Sequence, residues 1–270
     1  MPDLITSPSN PLIKQARALR QRKARQESGL FLVEGILHVG EAAEAGWGIE
    51  NLLYCPERLR SDFGRELVER LIAKNIRCAQ VSESAFESFA EKDNPQGIAA
   101  LVRQKYLTLD EFPLRGAPGT FPPFSLTVAL VAPQDPGNIG SILRAIDAVG
   151  ADGLFLLDGG ADPYQPACVR ASMGTIFWKP FVQAGFGAFA AWAKVGGFRV
   201  VGTSAHATAR LADVKLDERP TILLLGSEQK GLSPEQITLC DDLLSLPMRG
   251  RASSLNLAVA AGIFLYGLKG

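Results

Sequence analysis

The sequence lacks the features that mark several common protein classes. Although 47% of its 270 residues are hydrophobic, no apolar run reaches the length of about 18 residues that a bilayer-spanning helix needs. The opening MPDLITSPSN has none of the charged-then-apolar layout of a secretory leader. Four cysteines, Cys55, Cys78, Cys168 and Cys240, lie far apart with no C-x-x-C pair. That spacing argues against a disulfide framework or a zinc site and predicts ordinary buried thiols in a reducing compartment. A cytoplasmic protein without a membrane segment or a bound metal is expected. Histidine is scarce as well: His38 and His206 are the only two, and neither has a catalytic or metal-ligating companion close in sequence. Histidine general-base chemistry is therefore disfavoured. No G-x-G-x-x-G turn follows an early strand, which disfavours a dinucleotide-dependent oxidoreductase. Repeats are absent too.

Charge is balanced, with 28 basic and 28 acidic residues, so bulk charge does not bind this chain to nucleic acid. Local distribution says more. Lys14, Arg17, Arg20, Arg22, Lys23 and Arg25 crowd into one short stretch with no acidic residue among them. On a helical wheel Leu12, Ala16 and Leu19 face one way, while Lys14, Arg17, Arg22 and Arg25 spread over the other side. Such an arm can contact phosphates, which positions a nucleic acid without reading its sequence.

The stretch TLDEFPLRGAPGTFPPFS is rich in proline and glycine and has neither helical nor strand period. It predicts a linker over residues 108–124, between a smaller α/β domain (1–107) and a second α/β domain (125–270). In the first, a helix from Pro11 to Glu27 precedes the strand GLFLVEG, and helices and strands then alternate to GIAALVR. In the second, SLTVALVA, GLFLLD, FRVVGTS, TILLLG and LLSLPM are continuous apolar runs. Strands buried on both faces of a mostly parallel sheet read this way.

Three strand-to-helix connections carry polar residues that the fold does not need. In VAPQDPGNIGSILRAIDAVGADGLFLLDG, Ile139, Ile142, Leu143, Ile146 and Val149 form an apolar stripe. Asn138 is expected at the helix cap. Arg144 lies off the stripe, three residues from Asp147, with which a surface arginine would pair. In TILLLGSEQKGLSPEQI, Gly226 permits a close backbone approach, Glu228 stands in the loop, and Ser233 to Gln236 spell a helix start. In LLSLPMRGRASSLNLAVAAGIFLYGLK, Arg249 and Arg251 precede Ser253 and Ser254, which are expected to cap a helix whose first turn holds Leu255 and Asn256. Arginines beside a helix N-terminus suit phosphate. Asparagine at that point costs helix propensity unless its amide has a task.

In order and spacing, DPGNIGSILRAIDAVGADGLFLL, LLLGSEQKGLS and LPMRGRASSLNLAVAAGI resemble motifs 1, 2 and 3 of the SpoU (TrmH-like) RNA ribose 2′-O-methyltransferases of the SPOUT superfamily. The N-terminal ITSPSNPLIKQARALRQRKARQESGLFLVEG is similar to the small ribosomal-protein-like RNA-binding domain of many members. The resemblance implies a C-terminal α/β domain whose chain is threaded into a trefoil knot and which binds S-adenosyl-L-methionine, with members pairing as homodimers. By position it implies cofactor contacts at Thr203, Gly226, Leu246, Met248 and Leu255. It implies a reacting centre of Arg144, Asn138, Glu228, Ser254 and Asn256, with Asn138 positioning Arg144. RNA contacts would come from Lys14, Arg17, Arg22, Arg25, Arg249 and Arg251. Ala258 and Ser253 stand where the family often has serine and glutamate. Ribosomal RNA is the expected substrate, with transfer RNA the alternative. A catalytically silent RNA-binding or assembly factor would be expected to lack Arg144 or Asn256, and both are present.

Overall fold

A computed structural model describes residues 4–91, 94–113, 125–214 and 217–269. The chain divides into two compact units: the described residues up to Lys105 with Asp162–Trp178, and Tyr106–Ala161 with the residues from Lys179 onward. Of the expected linker, residues 114–124 lie outside the described residues. The part before them is no free spacer. Leu107 forms a parallel bridge with Val182, and Phe112 is buried with its ring 4.6 Å from that of Phe155. An apolar side chain within reach of a sheet face gains more from burial than a linker gains from freedom.

The first unit runs through α1 (Pro11–Ala18), α2 (Arg22–Ser28), β1 (Leu30–Glu34), α3 (Ile36–Glu44), β2 (Ile49–Tyr54), α4 (Asp62–Ala73), β3 (Cys78–Gln80), α5 (Glu83–Glu87) and β4 (Ile98–Arg103). Its sheet has the order β1-β4-β2-β3 and is mixed, since β4 is antiparallel to both neighbours while β2 and β3 are parallel. The period of two divides each strand between faces. Leu30, Leu32, Ala99 and Leu101 pack with Ile13, Ala16, Leu19, Phe86 and Phe89. On the other face Phe31 meets Trp47, Tyr164 and Phe177. The helix expected over Pro11–Glu27 is broken in two. The guanidinium of Arg25 takes the carbonyls of Leu19 (2.8 Å) and Arg20 (2.9 Å), groups that a continuous helix would offer to amides four residues on.

The second unit contains β5 (Leu126–Val131), α6 (Pro136–Ala148) and β6 (Leu154–Leu157); α7 (Pro166–Ala171) follows in sequence but belongs to the first unit. Then come β7 (Phe181–Ala184), α8 (Phe186–Val195), β8 (Arg199–Thr203), β9 (Ala209–Arg210), β10 (Thr221–Leu225), α9 (Pro234–Leu239), β11 (Asp242–Ser245) and α10 (Leu257–Lys269). The seven strands pair in the order β7-β6-β5-β10-β8-β11-β9, all parallel. Ala129, Phe155, Val182, Val200, Ile222 and Leu224 bury one face against Phe186, Phe189 and Ala193 of α8. α6 and α10 pack on each other, with α10 also against β10. Strands β7 and β9 have no counterpart in the sequence reading, being short and partly exposed. The LLSLPM strand stops at Ser245, leaving Leu246, Pro247 and Met248 in irregular backbone. Among the described residues no helix is long and apolar enough to cross a membrane, and no group of three His, Cys, Asp or Glu side chains could hold a metal.

Candidate active site at the carboxyl edge of the parallel sheet

A parallel sheet delivers the carboxyl ends of its strands to one edge. Register places Leu225 of β10 beside Leu130 of β5, and Leu244 of β11 beside Thr203 of β8. The loops that follow these strands therefore leave side by side. The chain runs outward from β5 through β6 to β7, then crosses to β8 on the far side of β10. Ligands of open α/β sheets bind at such reversals of strand order.

The loop after β5 is strained. Ala132 has φ 43°, left-handed backbone that a residue with a Cβ rarely adopts. Two bonds hold it: its N–H donates to the Leu157 carbonyl (2.8 Å), and its carbonyl accepts Nε2 of Gln134 (2.7 Å). Asp135, not Asn138, caps α6 by accepting the N–H of Gly137 at 2.8 Å. Pro136 has no N–H and its fixed φ suits the first helical position, so the cap falls on the residue before it. Asn138 stands within the first turn, only 7% exposed. Ile139, Ile142, Leu143 and Ile146 are buried as their spacing predicts. Arg144 is exposed, and among the described residues no hydrogen bond or ion pair engages it. Asp147 pairs instead with Lys179 at 3.3 Å.

The loop after β10 is a tight return. The Ser227 N–H donates to the Gly231 carbonyl (3.2 Å), and the Gly231 N–H to that of Ser227 (2.9 Å). A Cβ on Gly226 would lie 2.1 Å from the Gly231 carbonyl carbon, so what Gly226 admits so closely is the chain's own backbone. The turn sets Glu228 against the loop after β5. Its two carboxylate oxygens accept the Gln134 N–H at 3.2 and 3.1 Å, and Oε1 accepts Nδ2 of Asn138 at 3.4 Å. The predicted capping box is present, Ser233 accepting from the Gln236 N–H (3.3 Å) and Gln236 Oε1 from the Ser233 N–H (2.8 Å).

α10 begins later than expected. Ser253, Ser254 and Leu255 precede it in irregular backbone, and Asn256 supplies the cap, its Oδ1 accepting from Ala258 (2.9 Å) and Val259 (3.3 Å). Its other end, Nδ2, donates to Oδ1 of Asn138 at 2.9 Å. This is the task for an asparagine that propensity alone disfavours. One polar chain thus joins all three connections: Asn256 to Asn138 to Glu228 to the Gln134 backbone. Ser254 is exposed and outside it. Arg144 lies six residues beyond Asn138, about 9 Å along the helix axis, and is not bonded to it. Gln134 and Ala132 escaped the sequence reading, because a left-handed alanine and a backbone N–H donor leave no mark in residue types.

The residues expected at a cofactor share this edge. Thr203, Gly226 and Leu246 are half-buried where β8, β10 and β11 end, while Met248 and Leu255 are each 38% exposed. From Leu246 to Leu255 the backbone enters no helix or strand. At the other end of β11, burial pushes the Cys240 thiol up to about 11, away from the range in which a thiolate forms.

Of the basic residues, Lys14, Arg22, Arg249 and Arg251 are exposed. Arg17 is half-buried and held by the Ser88 carbonyl (3.0 Å) and hydroxyl (2.8 Å). Arg25 departs from expectation. It is 1% exposed, and its Nε and Nη2 lie 2.8 and 2.6 Å from Oδ2 of Asp162, with Nη1 on the two carbonyls named above. Its donors are spent inside the first unit, so it offers nothing to a phosphate. The wheel missed this because the helix it assumes is broken at Leu19–Gln21.

Comparison with known proteins finds relatives along nearly the whole chain. Residues 125–266 match the SpoU rRNA Methylase family and residues 10–100 an MRM3-like substrate binding domain. The 23S rRNA (uridine(2479)-2′-O)-methyltransferase of Streptomyces viridochromogenes is 37% identical, over 92% of this chain and 85% of that protein. The 23S rRNA (guanosine(2553)-2′-O)-methyltransferase RlmP of Bacillus subtilis is 31% identical, over 98% of this chain and 99% of its own. The crystal structure of an AdoMet-bound rRNA methyltransferase from Sinorhizobium meliloti superposes with a TM-score of 0.88 at 33% identity, covering 98% of this chain and 97% of that one. With its three connecting loops bonded together at the edge of an all-parallel sheet, and a family match spanning that whole sheet, the chain belongs to the SpoU rRNA Methylase family.

Proposed function

We propose that this protein transfers a methyl group from S-adenosylmethionine to a ribose 2′-hydroxyl of ribosomal RNA. The observation that carries this reading is the convergence of Asn138, Glu228 and Asn256 from three separate strand-to-helix connections onto one hydrogen-bonded chain. Relatives with that activity align over nearly the whole length. Residues 1–107 would grip the RNA and residues 125–270 carry out the transfer. A cytoplasmic place of action is part of the same proposal.

The site fits the cofactor. Met248 and Leu255, part-exposed and apolar, suit the faces of an adenine, and the ladder-free backbone of Leu246–Leu255 has donors and acceptors for its edge. Thr203, Gly226 and Leu246 complete the set. When bound, the cofactor supplies an electrophilic methyl on a sulfonium sulfur. Arg144 would direct N–H donors at the ribose oxygen, orienting the hydroxyl and stabilising the negative charge that develops as its proton passes to solvent. Ser254 offers a hydroxyl in the same loop system. Asn138, Glu228 and Asn256 hold the loops in place, so that alignment of the reacting groups is the chief contribution. Lys14, Arg22, Arg249 and Arg251 take phosphates, which fixes the RNA's register.

A second copy of the chain would pack along α10. Val259, Ile263 and Tyr266 are 51%, 43% and 63% exposed and follow helical spacing down one face. Val259→Lys with Ile263→Asp should convert dimers to monomers, as read by light scattering.

The test of activity is methyl-labelled S-adenosylmethionine incubated with ribosomal RNA lacking the modification, followed by alkali. Ribose methylation blocks cleavage of the adjoining phosphodiester, so label should appear in alkali-resistant dinucleotides and vanish with Arg144→Ala. Label in mononucleotides would mean base methylation and refute the reading.

A further inference from the structure

The polar chain at the site can be wired in only one direction. Backbone N–H groups are donors that cannot reverse, and they stand at both ends: two, those of Ala258 and Val259, at Asn256, and one, that of Gln134, at Glu228. Because helix donors occupy Oδ1 of Asn256, the group it turns to Asn138 must be its NH2. Asn138 must therefore present Oδ1 to Asn256 and its own NH2 to Glu228. Glu228, met by an amide NH2 on one side and a backbone N–H on the other, must accept from both, and a carboxylate is the side chain that only accepts. Asn138, 7% exposed, has little water available to satisfy the opposite orientation.

We infer that Glu228 is a positioning residue, the terminal acceptor of a one-way amide relay that runs from the N-terminus of α10 through Asn256 and Asn138 to the strained loop after β5. The relay sets the charge required at position 228 and ties the start of α10 to the start of α6. It does not place Glu228 on the reacting hydroxyl. The inference rests on the methyltransferase reading for its effect on rate, but the wiring itself is a statement about this chain.

Direction makes the relay reversible by design. With Asn256→Asp, the carboxylate still caps α10 but cannot donate to Asn138. If Asn138 turns its amide over to supply that donor, Oδ1 faces Glu228 and two acceptors collide. Adding Glu228→Gln resolves the collision: the new amide donates to the turned Asn138, while its oxygen still accepts the Gln134 N–H. The double variant carries the same net charge as the parent, with the negative charge moved from one end of the relay to the other.

The test compares the full-length parent, Asn256→Asp, Glu228→Gln and the double variant by kcat and KM for ribose methylation and by thermal melting. Asn256→Asp should lower kcat by roughly 100-fold with little change in the KM for S-adenosylmethionine, and the double variant should regain about tenfold or more, a size typical of coupling between touching side chains. Melting temperature should fall in Asn256→Asp and recover in the double variant. Recovery of melting without recovery of kcat, with Glu228→Gln as inactive as the double, would overturn the positioning role and put Glu228 on the substrate. No recovery in either would overturn the relay. Should the parent methylate no ribose, the functional reading fails, and melting alone still decides the wiring.

Discussion

The Arg25–Asp162 pair offers the sharpest quantitative test of how the first unit is held. Arg25 is 1% exposed and the Asp162 side chain 11%, with contacts of 2.6 and 2.8 Å to one carboxylate oxygen. The other carboxylate oxygen accepts the Tyr164 N–H at 2.8 Å. Asp162→Ala strands a buried guanidinium with two of its donors unmet. Breaking such a pair from one side costs about 3–5 kcal/mol, and the slight solvent access of Asp162 argues for the lower half of that range. Arg25→Met leaves no buried cation, but the carbonyls of Leu19 and Arg20 lose their partner, at about 1–3 kcal/mol in total. With both replaced, no charge is left unpaired, and the double variant should be more stable than Asp162→Ala alone. The coupling should reach about 2 kcal/mol. Urea unfolding followed by the fluorescence of Trp47, 9% exposed beside Phe31, Tyr164 and Phe177, reports on this unit. Raising salt should barely change the coupling, since a buried pair is little screened. A loss below about 1 kcal/mol for Asp162→Ala, or strictly additive single changes, would refute the reasoning.

Acid stability should depend on the opposite edge of the second sheet. Hydrogen bonds from Arg219 hold the Asp217 carboxyl below its usual range, and for Asp241 the pull of the Val200 N–H and Arg219 outweighs a burial that pushes the other way. Both folded values are depressed, so their stabilisation is present above the ordinary Asp value of 3.8 and lost as pH falls through the folded values. Arg219→Ala should therefore lower melting temperature near neutral pH and make less difference at about pH 3; a gap that widens in acid would contradict this. Lys14→Ala and Arg22→Ala should each weaken RNA binding and reduce the slope of log K against log salt by about 0.7–0.9, measured by filter binding, whereas an unchanged slope would remove that residue from the phosphate contacts. Gly226→Ala drives a Cβ to 2.3 Å from the Leu232 nitrogen and 2.4 Å from the Gly231 oxygen, backbone that the Ser227–Gly231 bridge keeps in place. It should cost about 1–3 kcal/mol in chemical denaturation and displace Glu228 enough to depress methyl transfer, and normal stability would mean the loop is freer than its bonds imply.

What the sequence determined by itself follows from short-range rules. Continuous apolar runs name buried parallel strands, because such strands have no wet face. Period-3.6 spacing puts Ile139, Ile142, Leu143 and Ile146 inside, and the capping box at Ser233 can be read letter by letter. The three motif connections were legible for the same reason: each sets a polar residue, Asn138, Glu228 or Asn256, between runs of buried apolar ones. What those residues hold was decided only by tertiary structure. Asn256 is a cap and a donor at once because the packing of α6 against α10 brings residues 118 positions apart in sequence to 2.9 Å. Arg25 looks like a surface cation in the sequence, yet it is buried, since its partner Asp162 is 137 residues away. The segment Asp162–Trp178 lies inside the stretch that matches the methylase family, yet it packs with the first unit. Side-chain periodicity reports which face of an element is apolar, but not which distant element will cover it, and a buried charge or a one-way hydrogen-bonded relay exists only once that choice is made.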